Sequence, residues 1–189
     1  DFGPIKFISH NQFSLLESSK FSPMKYFVEP IVLSLNFIDK NYNYNSYNMI
    51  GISGGGWATI IYSAIDERIS HSYSVAGSYP LHLRYETKNL GDYEQINPNI
   101  YRISNYLELY TMSSSGDNRK LVQLFIYNDP CCFQAELYEK FPYGTVIQDQ
   151  LDILGGGGKF SVFLDNSTRV HEVSDHALSL ILDDMLNKD

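Results

Sequence analysis

Short apolar runs alternate with longer segments of helical spacing through most of the chain. The apolar runs cover residues 47–52, 71–77, 121–127 and 160–164, a length that is typical of buried strands. Because strands that alternate with helices pair in parallel and are covered on both faces, the pattern predicts an α/β fold. We expect a three-layer α/β/α arrangement around a mostly parallel sheet.

The helical segments are marked by caps and by apolar spacing. Residues 24–40 follow a serine and a proline, which is typical of a capped helix start. Residues 56–68 are apolar nearly all round, as in a helix buried against a sheet, and residues 132–154 have a largely helical pattern. A last helix is predicted over residues 175–186, capped by Ser174. Its expected apolar face comprises Ala177, Leu178, Ile181, Leu182 and Met185.

Residues 79–116 form a long aromatic-rich stretch without strand periodicity. A helix is predicted near residues 100–109, and the stretch is a candidate lid within one domain that spans residues 1–189. Its aromatic residues fit two roles, an apolar acyl pocket or packing of the stretch itself.

Composition and charge narrow the function classes. The apolar fraction is 43% and the formal net charge is −8, with acidic residues spread along the chain. A nucleic-acid surface needs concentrated Lys and Arg, so nucleic acid is not an expected partner and a small-molecule substrate is favoured. No apolar run reaches the ~18 residues of a membrane span, and the first residues do not resemble a signal peptide.

The two cysteines, Cys131 and Cys132, are adjacent in the sequence. Neighbouring positions seldom meet disulfide geometry, so the chain lacks the crosslinked framework of small secreted proteins. This favours a reducing compartment, and we expect a cytoplasmic protein. The sequence does not indicate an oligomeric state.

Ser53 is the predicted nucleophile. It stands in the run Gly51-Ile52-Ser53-Gly54-Gly55, between a predicted strand and a predicted apolar helix. A sharp strand-to-helix turn exposes a serine hydroxyl, and the backbone then passes so closely that side chains two residues before and after the serine must be small. We expect the glycines Gly51 and Gly55 to meet this requirement.

A serine hydroxyl needs a base, and the base needs an acid to orient it. Asp129 directly follows the strongest predicted strand, and His171 lies between the last strand and the last helix. The chain order Ser, Asp, His is the one expected for α/β-hydrolases. Taken alone, Asp129 is better interpreted as an ordinary Asp-Pro turn, and only the presence of Ser53 favours its assignment as the acid.

Other residues compete for these roles. His176 is an alternative base, although it falls inside the predicted last helix, and Asp165 is an alternative acid or a turn residue. His10, His71 and His82 are interpreted as surface or structural residues. No metal site is predicted.

The oxyanion of acyl transfer needs two backbone donors, and the turn supplies one of them, the Gly54 N–H. The second comes from a loop after an early strand in this architecture, and residues 1–22 contain no convincing strand of that kind. The opening Asp1-Phe2-Gly3-Pro4 is interpreted as the interior of a longer polypeptide. We therefore expect the N-terminal strands to be missing from this chain.

With these positions in hand, the chain resembles the α/β-hydrolase superfamily, nearest to its dienelactone-hydrolase and acetyl-esterase-like branch. The resemblance rests on residues 51–57 for the nucleophile turn, 127–130 for the acid turn and 170–174 for the histidine loop. It implies a serine hydrolase that acts on a carboxylic ester or a similar acyl bond without a cofactor. It also implies a larger parent sheet, of which this chain holds the later strands.

Two other functions remain open. A non-catalytic relative would keep the fold as a binding or scaffold module, which the missing upstream loop and the many tyrosines would suit. A phosphate cradle at Gly54-Gly55-Gly56 is the third reading, but no Lys-Ser/Thr pair follows, as a P-loop would require.

Overall fold

A computed structural model describes residues 3–186, so Asp1 and Phe2 of the opening segment lie outside the described residues. Four strands form one sheet in the order β1-β2-β3-β4, and every neighbouring pair is parallel. The strands are β1 (Tyr47–Ile52), β2 (Ile69–Val75), β3 (Lys120–Ile126) and β4 (Lys159–Asp165). The predicted α/β architecture is confirmed; the bounds of β1 match the predicted ones, and those of the other three strands differ by one or two residues.

Helices connect the strands and cover both faces of the sheet. The α-helices are α1 (Lys25–Asn41), α2 (Gly54–Ile65), α3 (Tyr93–Ile96), α4 (Pro98–Tyr101), α5 (Tyr106–Ser114), α6 (Ala135–Lys140), α7 (Gly144–Leu154) and α8 (Asp175–Leu186). Short 3-10 helices cover His10–Leu16, Leu81–Leu83 and Thr87–Asn89. Among residues 3–186, no helix has the length and apolar character needed to cross a bilayer.

The two largest apolar clusters of residues 3–186 lie on opposite faces of the sheet. On one face Trp57 of α2, Tyr110 of α5 and Ile147 of α7 pack against β3 and β4 through residues such as Phe125. On the other face β2 and β3 present the alternate side chains of the strands to Ala177 and Ile181 of α8. This alternation is the period-2 pattern of a strand that is buried on both sides, and it produces the predicted three layers.

The helix predicted near residues 100–109 was wrong in its bounds. Arg102 to Ser104 are not helical, and α5 starts only after Asn105. The Asn105 side chain accepts hydrogen bonds from the Leu107 and Glu108 backbone N–H groups, and Glu108 bonds back to the Asn105 N–H. This capping box stabilises a helix start at residue 106, in the middle of the predicted helix.

The last helix starts where the sequence predicted. The Ser174 hydroxyl accepts a hydrogen bond from the Ala177 N–H at 3.0 Å, as a cap should. The apolar face is narrower than predicted, because Leu178 and Leu182 are 41% and 45% exposed. Only the Ala177 and Ile181 positions are fully buried against the sheet.

The aromatic residues of the stretch 79–116 serve packing. Tyr79, Tyr106 and Tyr110 are all buried, and Tyr110 stacks on Tyr143 with ring centroids 5.5 Å apart. Of the two roles that the sequence left open, these three residues take the packing role. Whether the stretch moves as a lid stays a prediction.

Candidate active site

The three predicted catalytic residues follow three different strands at one edge of the sheet. Ser53 comes directly after β1, Asp129 lies three positions beyond the end of β3, and His171 follows β4. Because the strands are parallel, their carboxyl ends meet at the same edge, where ligands bind in open α/β sheets. β1 and β3 are separated by two strand spacings, roughly 10 Å, so a side chain must bridge the gap.

Ser53 occupies a strained turn. Its backbone has φ 56° and ψ −125°, outside the regions that a non-glycine residue usually adopts. The Ser53 N–H donates to the Val75 carbonyl at 2.9 Å, and the Ser53 carbonyl accepts the first helical bond from the Trp57 N–H at 2.9 Å. The turn is therefore held from both sides, by the end of β2 and by the start of α2. This is the strand–turn–helix context that a nucleophile elbow requires.

Close backbone packing explains which glycines the turn needs. A Cβ on Gly51 would lie 2.2 Å from the Gly55 carbonyl oxygen, and one on Gly56 would lie 2.8 Å from the Gly77 Cα. A Cβ on Gly55 would meet nothing within 4 Å. The expectation for Gly51 is confirmed, but the expectation for Gly55 was wrong. After the serine, the position that cannot accommodate a side chain is Gly56, because α2 starts against the end of β2.

Asp129 and His171 are in direct contact. Asp129 is fully buried, and its two carboxylate oxygens lie 3.0 Å and 2.8 Å from His171 Nδ1. A nitrogen that faces a carboxylate in this way carries the proton, which leaves Nε2 with its lone pair in the neutral ring. The pair therefore has the tautomer that a general base needs, with the acid behind it.

His171 Nε2 is buried and has no hydrogen-bond partner within residues 3–186. Ser53 does not bond to it: Ser53, Cys131 and Cys132 line one cavity of about 240 Å³, and His171 is not among the residues that line this cavity. The sulfur atoms of both cysteines in turn lie within 4.8 Å of each other and of a ring nitrogen of His171. The structure thus brings Asp129 and His171 together directly and places Ser53 in the adjoining cavity.

The competing residues are engaged elsewhere. His176 is exposed on α8 and its ring lies 5.4 Å from that of Phe163. Asp165 is buried, and its carboxylate accepts hydrogen bonds from Ser167 and Ser174. These contacts match the interpretation of Asp165 as a turn residue.

The remaining histidines lie away from the Asp129–His171 pair. His10 Nδ1 lies 3.0 Å from a carboxylate oxygen of Glu94, and His82 is exposed. His71 is partly buried in β2, and burial lowers its pKa. None of the three has Ser53 or Asp129 as a hydrogen-bond partner in the described chain.

Two acidic residues of the cavity were not predicted. Asp92 and Glu94 line the cavity together with Ser53, and a Cβ on Gly54 would lie 3.8 Å from Glu94 Oε1. A negative charge at this place opposes an oxyanion at the Gly54 N–H, and His10 Nδ1 lies 3.0 Å from the same carboxylate. The sequence around Glu94, a Tyr-Glu-Gln triplet in an aromatic stretch, does not indicate that its carboxylate lies beside Gly54.

A buried polar network fixes the wall of the cavity. Gln95 Nε2 donates to the Gly77 carbonyl at 2.6 Å, and Arg84 and the Tyr106 hydroxyl both donate to Gln95 Oε1. The stretch after β2 is therefore tied to the turn that packs on Gly56. Gly77 itself could have been suspected from the Ala-Gly pair that ends an apolar run, a common signal for close backbone approach.

Cys132 lines the cavity but does not compete as a nucleophile. Burial, with the neighbouring Cys131 thiol, raises the pKa of Cys132 well above its usual range. Because the thiolate is the reactive form, this environment disfavours Cys132 as a nucleophile. Ser53 stays the predicted nucleophile of this cavity. The role of the Gly54 N–H as an oxyanion donor stays a prediction.

Comparisons with known proteins identify the fold. No family model and no curated protein sequence matches the chain. A carbohydrate esterase family 15 glucuronoyl esterase from Caldicellulosiruptor kristjansonii is 13% identical with TM-score 0.55, over 92% of this chain and 56% of that protein. An acylaminoacyl peptidase from Pyrococcus horikoshii is 16% identical with TM-score 0.53, over 79% of this chain and 26% of that protein.

A protein assigned as a dienelactone hydrolase from Klebsiella pneumoniae is 10% identical with TM-score 0.50, over 83% of this chain and 57% of that protein. In all three cases the chain covers less than two thirds of the other protein's length. The matches confirm the fold that the three sequence segments predicted.

Proposed function

We propose that this chain, which has the α/β-hydrolase fold, is a serine hydrolase that cleaves a carboxylic ester or a similar acyl bond. The contact between buried Asp129 and His171 Nδ1 at 2.8 Å carries the proposal. This contact orients an imidazole at the edge of the sheet where Ser53 lies in its strained turn. The arrangement is that of a nucleophile, a base and an orienting acid in different loops.

In the proposed mechanism Ser53 Oγ attacks the acyl carbonyl while His171 Nε2 takes the hydroxyl proton. Asp129 stabilises the imidazolium that forms, and the Gly54 N–H donates to the oxyanion. His171 then gives the proton to the leaving alcohol, and an acyl-Ser53 ester remains. Water, deprotonated by His171, hydrolyses this ester and regenerates Ser53. Because Nε2 has no partner in the resting site, the proposed cycle requires Ser53 Oγ and Nε2 to come within hydrogen-bond distance when substrate binds.

The cavity limits the substrate. Its volume of about 240 Å³ lies below the range of about 300–1,000 Å³ that is usual for drug-sized ligands. We therefore expect short acyl groups to react faster than long ones.

Hydrolysis of p-nitrophenyl acetate and p-nitrophenyl decanoate tests the proposal. The wild-type chain should hydrolyse the acetate faster, and Ser53→Ala should lose at least about 10³-fold in kcat/KM. Ser46→Ala, an exposed serine in the loop before β1, is the matched control and should retain activity. Equal rates for Ser53→Ala and the wild type would reject the proposal.

The alternative is a binding or scaffold module. The unpartnered Nε2 of His171 favours it, since a triad that never closes is inactive. A chain that is inert towards both esters, and that holds a protein partner equally well with Ser53→Ala, would support this alternative.

A further inference from the structure

Two thiols that line the Ser53 cavity lie close to one imidazole. The Sγ atoms of Cys131 and Cys132 and a ring nitrogen of His171 all lie within 4.8 Å of one another. Cys131 is exposed, Cys132 is buried, and neither forms a disulfide. The sequence did not predict this cluster, because 39 residues separate Cys132 from His171 (171 − 132).

The local backbone explains why adjacent cysteines point to the same side. In an extended strand successive side chains point to opposite faces, but the chain bends after β3. The Cys131 N–H donates to Asp129 Oδ1 at 2.7 Å, and the Phe133 N–H donates to Asn89 Oδ1 at 2.8 Å. Phe133 has φ 50°. These constraints bring the two sulfur atoms to 2.7 Å from each other.

A second observation points to a ligand. Asp129 holds His171 Nδ1, and Nε2 is buried without a hydrogen-bond partner in the described residues. A histidine that donates Nδ1–H to a carboxylate and presents Nε2 is the usual arrangement of a metal-binding histidine, because the carboxylate fixes the ring and raises its basicity. The orienting acid therefore serves a metal ligand as well as it serves a general base.

We propose that Cys131, Cys132 and His171 bind a thiophilic d10 cation, with Zn²⁺ as the leading candidate. Thiolate and imidazole ligands suit Zn²⁺, and three protein ligands leave a fourth position open. Both cysteines also line the cavity that contains Ser53. Binding replaces the thiol protons by the metal and releases them to solvent.

Such an ion would inhibit the hydrolase. A bound Zn²⁺ occupies the His171 lone pair that must accept the Ser53 proton, so the metal and the catalytic cycle exclude each other. This second part of the inference rests on the proposed function, whereas binding of the metal does not. The test therefore needs one readout of binding and a separate readout of activity.

Cobalt and zinc titrations test the binding. With the thiols kept reduced by a phosphine, Co²⁺ should give thiolate-to-cobalt absorption that Zn²⁺ displaces at a ratio of one ion per chain. The double variant Cys131→Ser/Cys132→Ser should lose the absorption and weaken Zn²⁺ binding at least about 100-fold. Asp129→Asn, which changes only the group behind the ring, should weaken it about 10–100-fold.

His82→Ala, which removes an exposed histidine outside the cluster, is the control for nonspecific binding and should change nothing. The proposal is overturned if Zn²⁺ does not bind the wild-type chain at micromolar concentration, or if the double cysteine variant binds it equally well.

Ester hydrolysis tests the inhibition. Zn²⁺ should inhibit the wild type, and a chelator should restore its activity. The rate of ester hydrolysis by Cys131→Ser/Cys132→Ser, measured relative to the same variant without metal, should not change when Zn²⁺ is added. Hydrolysis by the wild type that is insensitive to Zn²⁺ would refute the inhibitory role. A chain that binds Co²⁺ but cleaves no ester would refute the proposed function and leave the metal site standing.

Discussion

Two buried aspartates follow neighbouring strands and use the same local turn, but they hold different partners. Asp129 follows β3 and accepts the N–H of residue 131 at 2.7 Å, whereas Asp165 ends β4 and accepts the N–H of residue 167 at 2.9 Å. The carboxylate of Asp165 also accepts hydrogen bonds from the Ser167 and Ser174 hydroxyls. The carboxylate of Asp129 instead contacts the ring of His171.

The two aspartates differ in the groups that surround their charges, which are hydroxyls at Asp165 and an imidazole at Asp129. Burial by itself would raise the pKa of Asp165, but hydrogen bonds from Ser167 and Ser174 outweigh it and lower the pKa. Ser174 also caps α8, so its hydrogen bond to Asp165 connects the end of β4 to the last helix. The charge of Asp129 instead acts on an imidazole whose second nitrogen has no partner. The same turn thus holds hydroxyl groups in one loop and an imidazole in the other.

The largest expected effect distinguishes the two aspartates by activity. Asp129→Asn should lower kcat/KM for a short acyl ester by about 10³–10⁴-fold, because an amide no longer selects the ring tautomer with a free Nε2. Asp165→Asn should stay within about threefold of the wild type, since its carboxylate does not contact the ring. Steady-state kinetics on both purified variants measures this. Equal losses would show that the two loops do not differ in function.

The second effect distinguishes them by stability. Asp165→Asn should lower the free energy of unfolding by about 1–3 kcal/mol, because it weakens charge-assisted hydrogen bonds to two hydroxyls and one N–H in a buried site. Urea unfolding followed by circular dichroism measures the change at neutral pH. An unchanged midpoint would contradict the structural role of Asp165.

A smaller effect isolates the cap. Ser174→Ala removes both the bond to the Ala177 N–H and the bond to Asp165, and it should cost about 0.5–2 kcal/mol. Ser179→Ala, an exposed serine within α8, is the control and should be neutral. If both variants unfold at the same urea concentration as the wild type, Asp165 does not act through the helix cap.

The smallest effect is a pH dependence. The folded pKa of Asp165 lies below its ordinary value of about 3.9, so its contribution to stability is present above that value and is lost as the pH falls through the folded pKa. The stability difference between the wild type and Asp165→Asn should therefore shrink on acidification from pH ~5 to pH ~2. Urea unfolding at several pH values measures this, and a constant difference would contradict the lowered pKa.

Most strands and helices could be predicted from the sequence, because the spacing of apolar residues indicates which positions are buried. β1 was predicted with its observed bounds, and the cap at Ser174 was identified from residue type alone. The order of Ser53, Asp129 and His171 placed each residue at a strand end. The pairing of Asp129 rather than Asp165 with the histidine was favoured by the sequence, and its geometry came from the structure.

What could not be predicted depends on contacts between distant segments. Gly56 matters because Gly77 of another loop touches it, and no pattern within the turn reports that approach. The place of Glu94 beside Gly54 and the approach of Cys131 to His171 likewise arise from loops that only the folded sheet brings to one edge.

The most direct test of the central claim is labelling by a fluorophosphonate probe, which reacts preferentially with activated serine hydroxyls. The account predicts one probe per chain, located on Ser53 by peptide mass spectrometry, with labelling lost in Ser53→Ala and strongly slowed in Asp129→Asn but not in Asp165→Asn. Labelling of a different residue, or equal labelling rates for the two aspartate variants, would contradict it.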